Sequence, residues 1–207
     1  MTLTLWVYSA DDFGAAVVDQ LVKLVRPRVV LRIHDQTAME LGLKNLHRGD
    51  IFLFISLRPR DSISSTINAR CCETGSAFLQ VVVVTPILQL GPLVQVPGSA
   101  CWECWRERER ANHPLAEQRL ALFDYYDKET SKPPSGYMPF LTGVAAGKAA
   151  SILNHTDTFR EHLGLAWAMN MWTKEISRAR FVGRHGCVHC GLGHADQEDQ
   201  TLAMYYR

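Results

Sequence analysis

Two C-x-x-C pairs constrain this chain more than any other feature, and they read Cys101-Trp-Glu-Cys104 and Cys187-Val-His-Cys190. This spacing lets two thiolates bind one tetrahedral Zn²⁺ ion, with each sulfur about 2.3 Å from the metal. Proline and glycine precede the first pair and glycines flank the second, as in zinc knuckles. Four thiolates complete the shell and leave no open position for water. We therefore predict one structural zinc ion on these four cysteines, joining residues 97–104 to residues 183–190.

The alternatives to zinc are a redox motif or independent free thiols. A thioredoxin-type C-x-x-C begins a helix directly after a strand, and two copies weaken that interpretation. The stretch of about 80 residues between the pairs is too long for a compact zinc ribbon, so the ion would join distant parts of one fold. His185, His189 and His194 lie beside the second pair and are substitute ligands. Cys71 and Cys72 fall on a predicted helix, which favours buried thiols without metal.

The bulk composition excludes several classes of function. The formal net charge is +1, with 22 basic and 21 acidic residues. That balance argues against a nucleic-acid or membrane-surface protein that works by bulk electrostatics. No run approaches the roughly 18 apolar residues of a membrane span, and the first residues lack the pattern of a signal peptide. We expect a cytoplasmic protein, and there cysteine pairs favour a metal over disulfides.

The first half of the chain alternates strand-like and helix-like segments. Its later strands are nearly all apolar, as expected for strands that are covered on both faces. The order predicts an α/β fold, a Rossmann-like and mainly parallel sheet flanked by helices. Strands are expected at 3–8, 29–33, 51–55 and 78–84, and helices at 13–24 and at 62–74, the latter closed by Gly75. One domain would span residues 1–190, and residues 191–207 would be a polar tail.

The second half is predicted in less detail. Gly91-Pro92 punctuates a possible hairpin, charges of alternating sign mark a solvated helix, and a run of small residues indicates a closely packed, buried helix. These segments are the hairpin 87–96, the charged helix 105–110, a further helix 115–126, a loop 132–136, the small-residue helix 140–153 and one or two strands in 165–182. Trp102 and Trp105 belong either to the domain's own core or to a partner interface.

No active site is evident from the sequence. A dinucleotide site at the first strand-to-helix turn needs three glycines, but the segment from Ser9 to Ala15 has one, and Asp11 and Asp12 would repel phosphate. No phosphate-binding G-x-x-x-x-G-K-[ST] motif occurs. Asp35 occupies the position of a ribose-binding acid, but without the glycine turn we interpret it as a strand-end residue. We therefore predict neither catalytic residues nor a nucleotide on this chain.

Several segments resemble the adenylating-enzyme-like (ThiF-like) subunits of azole-forming synthetases, which mature ribosomally made peptides. The most specific is LQLGPLVQVPGSACWEC at 88–104, which is similar to that family's GPLV run, Pro-Gly turn and first C-x-x-C. DIFLFISLRP at 50–59 resembles the family's third strand and its Arg-Pro turn. The small-residue helix near 143–150 and the closing GCVHCG at 186–191 match the remaining landmarks.

This resemblance implies a relative of ubiquitin-activating enzymes that has lost adenylation and binds zinc through the four cysteines. The implied function is a non-catalytic scaffold subunit of a hetero-oligomeric synthetase. An ATP-dependent YcaO-type cyclodehydratase partner would form azolines, and an FMN dehydrogenase partner would oxidise them to azoles. The family usually carries an N-terminal winged-helix domain, whereas here a sheet strand is predicted from Leu3. Another chain is therefore expected to bind the leader of the precursor peptide. The precursor peptide is a further candidate partner of this chain.

Two other functions remain open at this stage. One is an active ATP-dependent adenylating enzyme that acts on a peptide carboxylate. The other is a zinc-dependent nucleic-acid module, in which arginines and tryptophans at 102–110 form a basic, aromatic patch. Glu103, Glu107 and Glu109 interleave with those arginines, however, and favour a salt-bridged helix.

Overall fold

Strands and helices alternate along the first half of the chain and build the parallel part of one sheet. The computed structural model describes residues 4–26, 29–33, 35–129, 136–154 and 159–191. The elements of the first half are β1 (Thr4–Ser9), α1 (Asp12–Leu24), β2 (Val29–Ile33), α2 (Gln36–Lys44), β3 (Ile51–Ser56), α3 (Asp61–Thr74) and β4 (Ala77–Val84). β1 pairs in parallel with β2 and β3, and β3 pairs in parallel with β4. The four predicted strands and both predicted helices of this half are confirmed, including the stop of α3 at Gly75, which adopts φ +71°.

Helix α2 was not predicted. Its sequence carries Gly42 in the middle and buries only Met39, Gly42 and Leu43, so its apolar signal is weak. The carboxylate of Asp35 accepts a hydrogen bond from the backbone N–H of Ala38 at 2.8 Å and caps this helix. Asp35 thus follows the end of β2, as predicted, and in addition caps α2.

The sheet is mixed rather than mainly parallel, which corrects the prediction. The remaining elements are β5 (Ile87–Leu90), β6 (Val94–Gln95), α4 (Trp102–Asn112), α5 (Ala116–Lys128), α6 (Phe140–Asn154), α7 (Phe159–His162), β7 (Leu165–Asn170) and β8 (Ile176–Arg180). Among the described strands the order is β2-β1-β3-β4-β5-β7-β8, with β6 also paired to β4. Four of the seven pairings are antiparallel, and all four lie in the second half. The turn of two residues, Thr85 and Pro86, joins β4 to β5 and permits only antiparallel neighbours.

The predicted hairpin within residues 87–96 is also wrong. β5 and β6 do not pair with each other; both run antiparallel to β4, and Gly91 and Pro92 interrupt the strand between them. Gly91 has φ +88°, and a methyl group there would lie 2.8 Å from the carbonyl oxygen of Leu165. Gly91-Pro92 therefore marks a break between two short strands that continue in one direction along β4, and the chain does not reverse there.

Each face of the sheet is covered by helices, and strand alternation divides the core between them. On one face, Leu53 and Ile55 pack with α1 and α6, where Ala145, Ala146 and Ala149 are fully buried. This confirms the predicted small-residue helix. On the other face, the aromatic side chains Phe52, Phe54 and Phe78 pack with residues of α2, α3 and α4.

Some predictions fall outside the described residues, namely most of the loop 132–136 and the tail beyond residue 191. The helices predicted at 105–110 and 115–126 are confirmed within α4 and α5, and the strands predicted in 165–182 are β7 and β8. No helix in the described ranges is long and apolar enough to cross a membrane.

We expect Gly14→Ala to lower the free energy of unfolding by about 1–3 kcal/mol. A methyl group at Gly14 would lie 2.9 Å from the carbonyl oxygen of Ile55 and 3.0 Å from the Cβ of Ser9, because α1 approaches the strands closely at this turn. The control is Gly147→Ala on α6, where no atom lies within 4 Å of the added methyl. There the substitution should raise stability by about 0.4–1 kcal/mol. Urea unfolding followed by circular dichroism tests both, and equal effects at the two sites would contradict the packing described.

Candidate metal centre

The first cysteine pair is positioned by the start of helix α4. Cys101 is the residue before the helix and Cys104 lies in its first turn, so both thiols are on one side of the helix N-terminus. The turn that precedes them is held by Ser99, whose hydroxyl accepts a hydrogen bond from the backbone N–H of Gln95 at 3.0 Å. Both cysteines are fully buried.

The second pair lies in a tight turn after β8. The backbone N–H of Cys187 donates to the carbonyl of Arg184 at 3.2 Å, and the N–H of Gly191 donates to the carbonyl of Cys187 at 2.7 Å. A methyl group at Gly191 would lie 2.3 Å from the nitrogen of Cys187, so only glycine fits this position. Gly191, which follows the motif directly, is thus required by the turn that presents the thiols.

The four sulfur atoms of Cys101, Cys104, Cys187 and Cys190 lie within 4.8 Å of one another. Cys101 Sγ is 3.8 Å from Cys104 Sγ and 3.6 Å from Cys187 Sγ, and Cys104 Sγ is 3.4 Å from Cys190 Sγ. Sulfurs about 2.3 Å from a tetrahedral zinc ion are about 3.8 Å apart. The structure therefore brings together all four predicted ligands, and they can hold a metal ion.

Backbone N–H groups provide a second shell around the thiols. The N–H of Cys101 donates to Cys190 Sγ at 3.3 Å, and the N–H of Arg184 donates to Cys104 Sγ at 3.2 Å. Each of these hydrogen bonds therefore connects the segment that carries one cysteine pair to a sulfur atom of the other pair. Such donors stabilise thiolate charge and orient the sulfur lone pairs.

The thiols share protons when no metal is bound. Hydrogen bonds from the Cys104 and Cys190 thiols lower the pKa of Cys101, and the bond to Cys101 raises the pKa of Cys104 to about 12. A metal ion replaces those donors with one positive centre and displaces their protons, so its affinity falls as the pH is lowered.

The predicted substitute ligands do not join the cluster. The group of metal-ligating side chains in the described part of the chain contains the four cysteines and neither His185 nor His189. His194 lies outside the described residues.

Cys71 and Cys72 differ in their surroundings. Cys71 is buried in the core, as predicted. Cys72 is only partly buried and packs against the four-cysteine cluster. Its hydrogen bond to Cys101 raises its pKa. Sequence reasoning missed this because a fifth thiol outside a C-x-x-C pair carries no spacing signal.

The charged residues of α4 form ion pairs inside the fold rather than a patch. Arg106 is 4% exposed and donates to Asp61 at 2.7 Å, and it also pairs with Glu109. Arg110 contacts Asp61 as well, at 3.1 Å. Arg108 donates to the carbonyl of Val182 at 2.8 Å and so connects α4 to the segment before the second cysteine pair.

The two tryptophans of α4 belong to the domain's own interior. Trp102 is 1% exposed and packs in the core, and Trp105 is packed against the same cluster. The alternative of a partner interface at Trp102 is therefore corrected. The basic, aromatic patch of the nucleic-acid hypothesis is replaced by the salt-bridged helix.

The first strand-to-helix turn is occupied by its own carboxylate. Asp11 accepts hydrogen bonds from the backbone N–H of Gly14 at 2.9 Å, from the hydroxyl of Ser56 at 3.0 Å and from the N–H of Leu57 at 2.7 Å. In dinucleotide-binding folds a phosphate binds at this helix N-terminus. Here the carboxylate of Asp11 takes one N–H donor of this helix N-terminus, that of Gly14.

Solved structures of a heterocyclase, of a microcin synthetase complex and of MccB share this fold. The heterocyclase TruD matches 92% of this chain and 28% of its own, with a TM-score of 0.65 and 17% identity. The E. coli microcin synthetase McbBCD complex matches 90% of this chain and 68% of its own, with a TM-score of 0.64 and 14% identity. For E. coli MccB with ATP, the match covers 91% of this chain and 67% of the MccB chain, with a TM-score of 0.61 and 12% sequence identity.

The likeness is one of fold. No protein-family model matches the sequence, and no curated protein matches it either. The chain spans under a third of the length of TruD and about two-thirds of that of the microcin proteins.

We expect the purified chain to contain about one zinc ion, and Cys101→Ser to remove most of it, because three thiolates bind the ion far more weakly than four. The loss should also lower the thermal unfolding midpoint. Cys71→Ala is the matched control: it deletes a buried thiol outside the cluster and should cost about 1 kcal/mol while retaining zinc. Elemental analysis and thermal unfolding measure both effects. Equal zinc in the wild type and in Cys101→Ser would contradict the site.

Proposed function

We propose that this chain is a zinc-stabilised, non-catalytic subunit of a synthetase that installs azoline or azole heterocycles in a ribosomally made peptide. The observation that carries the proposal is the fold, which is shared over more than nine-tenths of the chain with the heterocyclase TruD. The likeness to the microcin synthetase McbBCD complex supports it in the same way. The resemblance at residues 88–104 and at the closing C-x-x-C points to the same class of protein.

The zinc ion would be structural. Four thiols supply a closed shell, and three of them are fully buried, so neither water nor substrate would have a position on the metal. The ion would join the start of α4, on one face of the sheet, to the segment that follows the last strand. Its contribution would be to hold the antiparallel end of the sheet against α4.

Asp11 supports the absence of a nucleotide from this chain. Its carboxylate already accepts a hydrogen bond from the N–H of Gly14 at the helix N-terminus, and a phosphate there would meet a negative charge. ATP and FMN would therefore belong to partner chains, a YcaO-type cyclodehydratase and a flavin-dependent dehydrogenase.

The outer side of α5 supports contact with a partner. Leu115, Leu122 and Tyr125 follow one another at intervals of seven and three residues, so they share one side of the helix, and all three are exposed. Only Phe123 of α5 is buried. An apolar stripe of this kind on the surface is typical of an interface.

An active adenylating enzyme is the second candidate. The likeness to MccB with ATP favours it. Asp11 weighs against it. Gly14, the single glycine of the first turn, does so too, because it allows α1 to pack closely on Ile55 and Ser9. Exchange of pyrophosphate into ATP in the presence of a candidate peptide would establish this activity and overturn the non-catalytic role.

The test is co-expression with the proteins encoded beside this chain, followed by affinity purification and mass spectrometry. We expect a stable complex with a YcaO-type or flavin-binding subunit, and azoline formation, read as a loss of 18 Da per ring, only when this chain is present. A chain that elutes alone and leaves ring formation unchanged by its omission would contradict the proposal.

Leu122→Asp should weaken that complex at least about tenfold, since it places a charge in the apolar stripe of α5. The matched control is Leu41→Asp. Leu41 lies on α2, and 62% of it is exposed, compared with 43% of Leu122. The control should leave the complex intact. Dissociation constants from biolayer interferometry measure both variants, and equal affinities for the two would exclude α5 as the interface.

A further inference from the structure

Strand β8 forms one edge of the sheet. Among the described residues it pairs only with β7, and all five of its residues are exposed. An exposed edge carries unpaired N–H and C=O groups and is a template for another strand. β8 is therefore a candidate docking element rather than part of the core.

Two hydrogen bonds determine which backbone groups of β8 are unpaired. The N–H of Asn170 donates to the carbonyl of Glu175 at 2.9 Å, and the N–H of Phe181 donates to the carbonyl of Gly164 at 3.2 Å. In an antiparallel ladder, residues alternate between pointing their backbone groups toward the partner strand and away from it. Because residues 175 and 181 point toward β7, residues 176, 178 and 180 point away. Their N–H and C=O groups face the free side.

The same three residues present a cationic surface. Ile176, Arg178 and Arg180 lie on one face of the strand, since their positions differ by two. Arg178 makes no ion pair within the described residues, and Arg180 donates to the carbonyl of Glu161 at 2.6 Å rather than to a carboxylate. Lys148 of α6 lies nearby: burial, and then the charge of Arg178, lower its pKa. The free edge thus combines unpaired backbone groups with positive charge that lacks a carboxylate partner.

We propose that β8 binds a flexible acidic peptide segment, which adds to the sheet as an extended strand. Its backbone would pair with residues 176, 178 and 180. Carboxylates would lie opposite Arg178 and Arg180, and an apolar side chain would lie opposite Ile176, which is 57% exposed. For an antiparallel strand the pattern is acidic, any residue, acidic, any residue, apolar.

Other occupants fit this edge less well. A second copy of the chain, paired by two-fold symmetry through all three residues, would place Arg178 opposite Arg178, and like charges directly opposite destabilise a sheet. β8 is exposed on both faces, so an added strand is solvated on both sides. That environment suits a hydrophilic, flexible peptide rather than the apolar sheet of a folded partner.

The proposal goes beyond the proposed function and does not rest on it, because it concerns a surface of the isolated chain. The probe is a fluorescein-labelled peptide that alternates glutamate with threonine and ends in isoleucine and threonine. A peptide with lysine in place of glutamate is the control. Fluorescence anisotropy should show saturable binding of the acidic peptide only, weakened by salt.

Two variants separate strand addition from simple charge attraction. Arg178→Glu should weaken binding at least about tenfold by reversing the charge. Ile176→Pro should do the same, because it removes an outward N–H group without changing the charge of the strand and leaves the ladder to β7 intact. Lys44→Glu on exposed α2 is the charge control and should bind as the wild type does. Zinc content and circular dichroism of each variant report on folding.

Hydrogen exchange provides a direct readout on the wild-type chain. The amides of residues 176, 178 and 180 should exchange more slowly with bound peptide, while those of β2 at the opposite edge should not change. Failure of the acidic peptide to bind, full binding by Ile176→Pro, or a protein dimer formed through β8 would each overturn the proposal.

Discussion

The convergence of four thiols is the constraint on which the second half of this fold depends. Helix α4 begins on one face of the sheet, and the segment after β8 begins at its edge. Three of the inter-sulfur distances are 3.4–3.8 Å, and N–H groups cross between the two segments, so the four thiols could hold one tetrahedral ion. Around it, Arg108 binds the carbonyls that precede the second pair. A metal there would fix the position of both α4 and the β7–β8 hairpin.

The other end of the molecule is held by its own side chains. Asp11 caps α1 and binds the end of β3, so the place where related folds bind phosphate is closed by an internal carboxylate. Asp61 and Arg106 connect α3 to α4 in a largely buried ion pair. The described residues thus contain four cysteines that could hold a metal ion, a strand-to-helix turn capped by Asp11, and exposed surfaces on α5 and β8. These features support the proposed scaffold role.

The sequence predicted the parallel half of the fold well, because each strand there is a short apolar run and each predicted helix has a clear start or stop. It failed where the signal was non-local. Nothing in residues 87–96 indicates that both short strands pair with β4, since that depends on the turn at Thr85 and Pro86. α2 has a narrow apolar face. Cys72 reaches the cysteine cluster only through the packing of α3. The meeting of the four cysteines was predictable because metal geometry imposes a fixed spacing within each pair.

Zinc K-edge X-ray absorption of the purified chain tests the central claim most directly. We predict an edge height that corresponds to about one zinc ion per chain. The fine structure should show four sulfur atoms at about 2.3 Å from the zinc. Nitrogen or oxygen atoms at about 2.0–2.1 Å in that shell would show that a histidine or water replaces a cysteine. That result, or a chain that folds without any bound metal, would contradict the account.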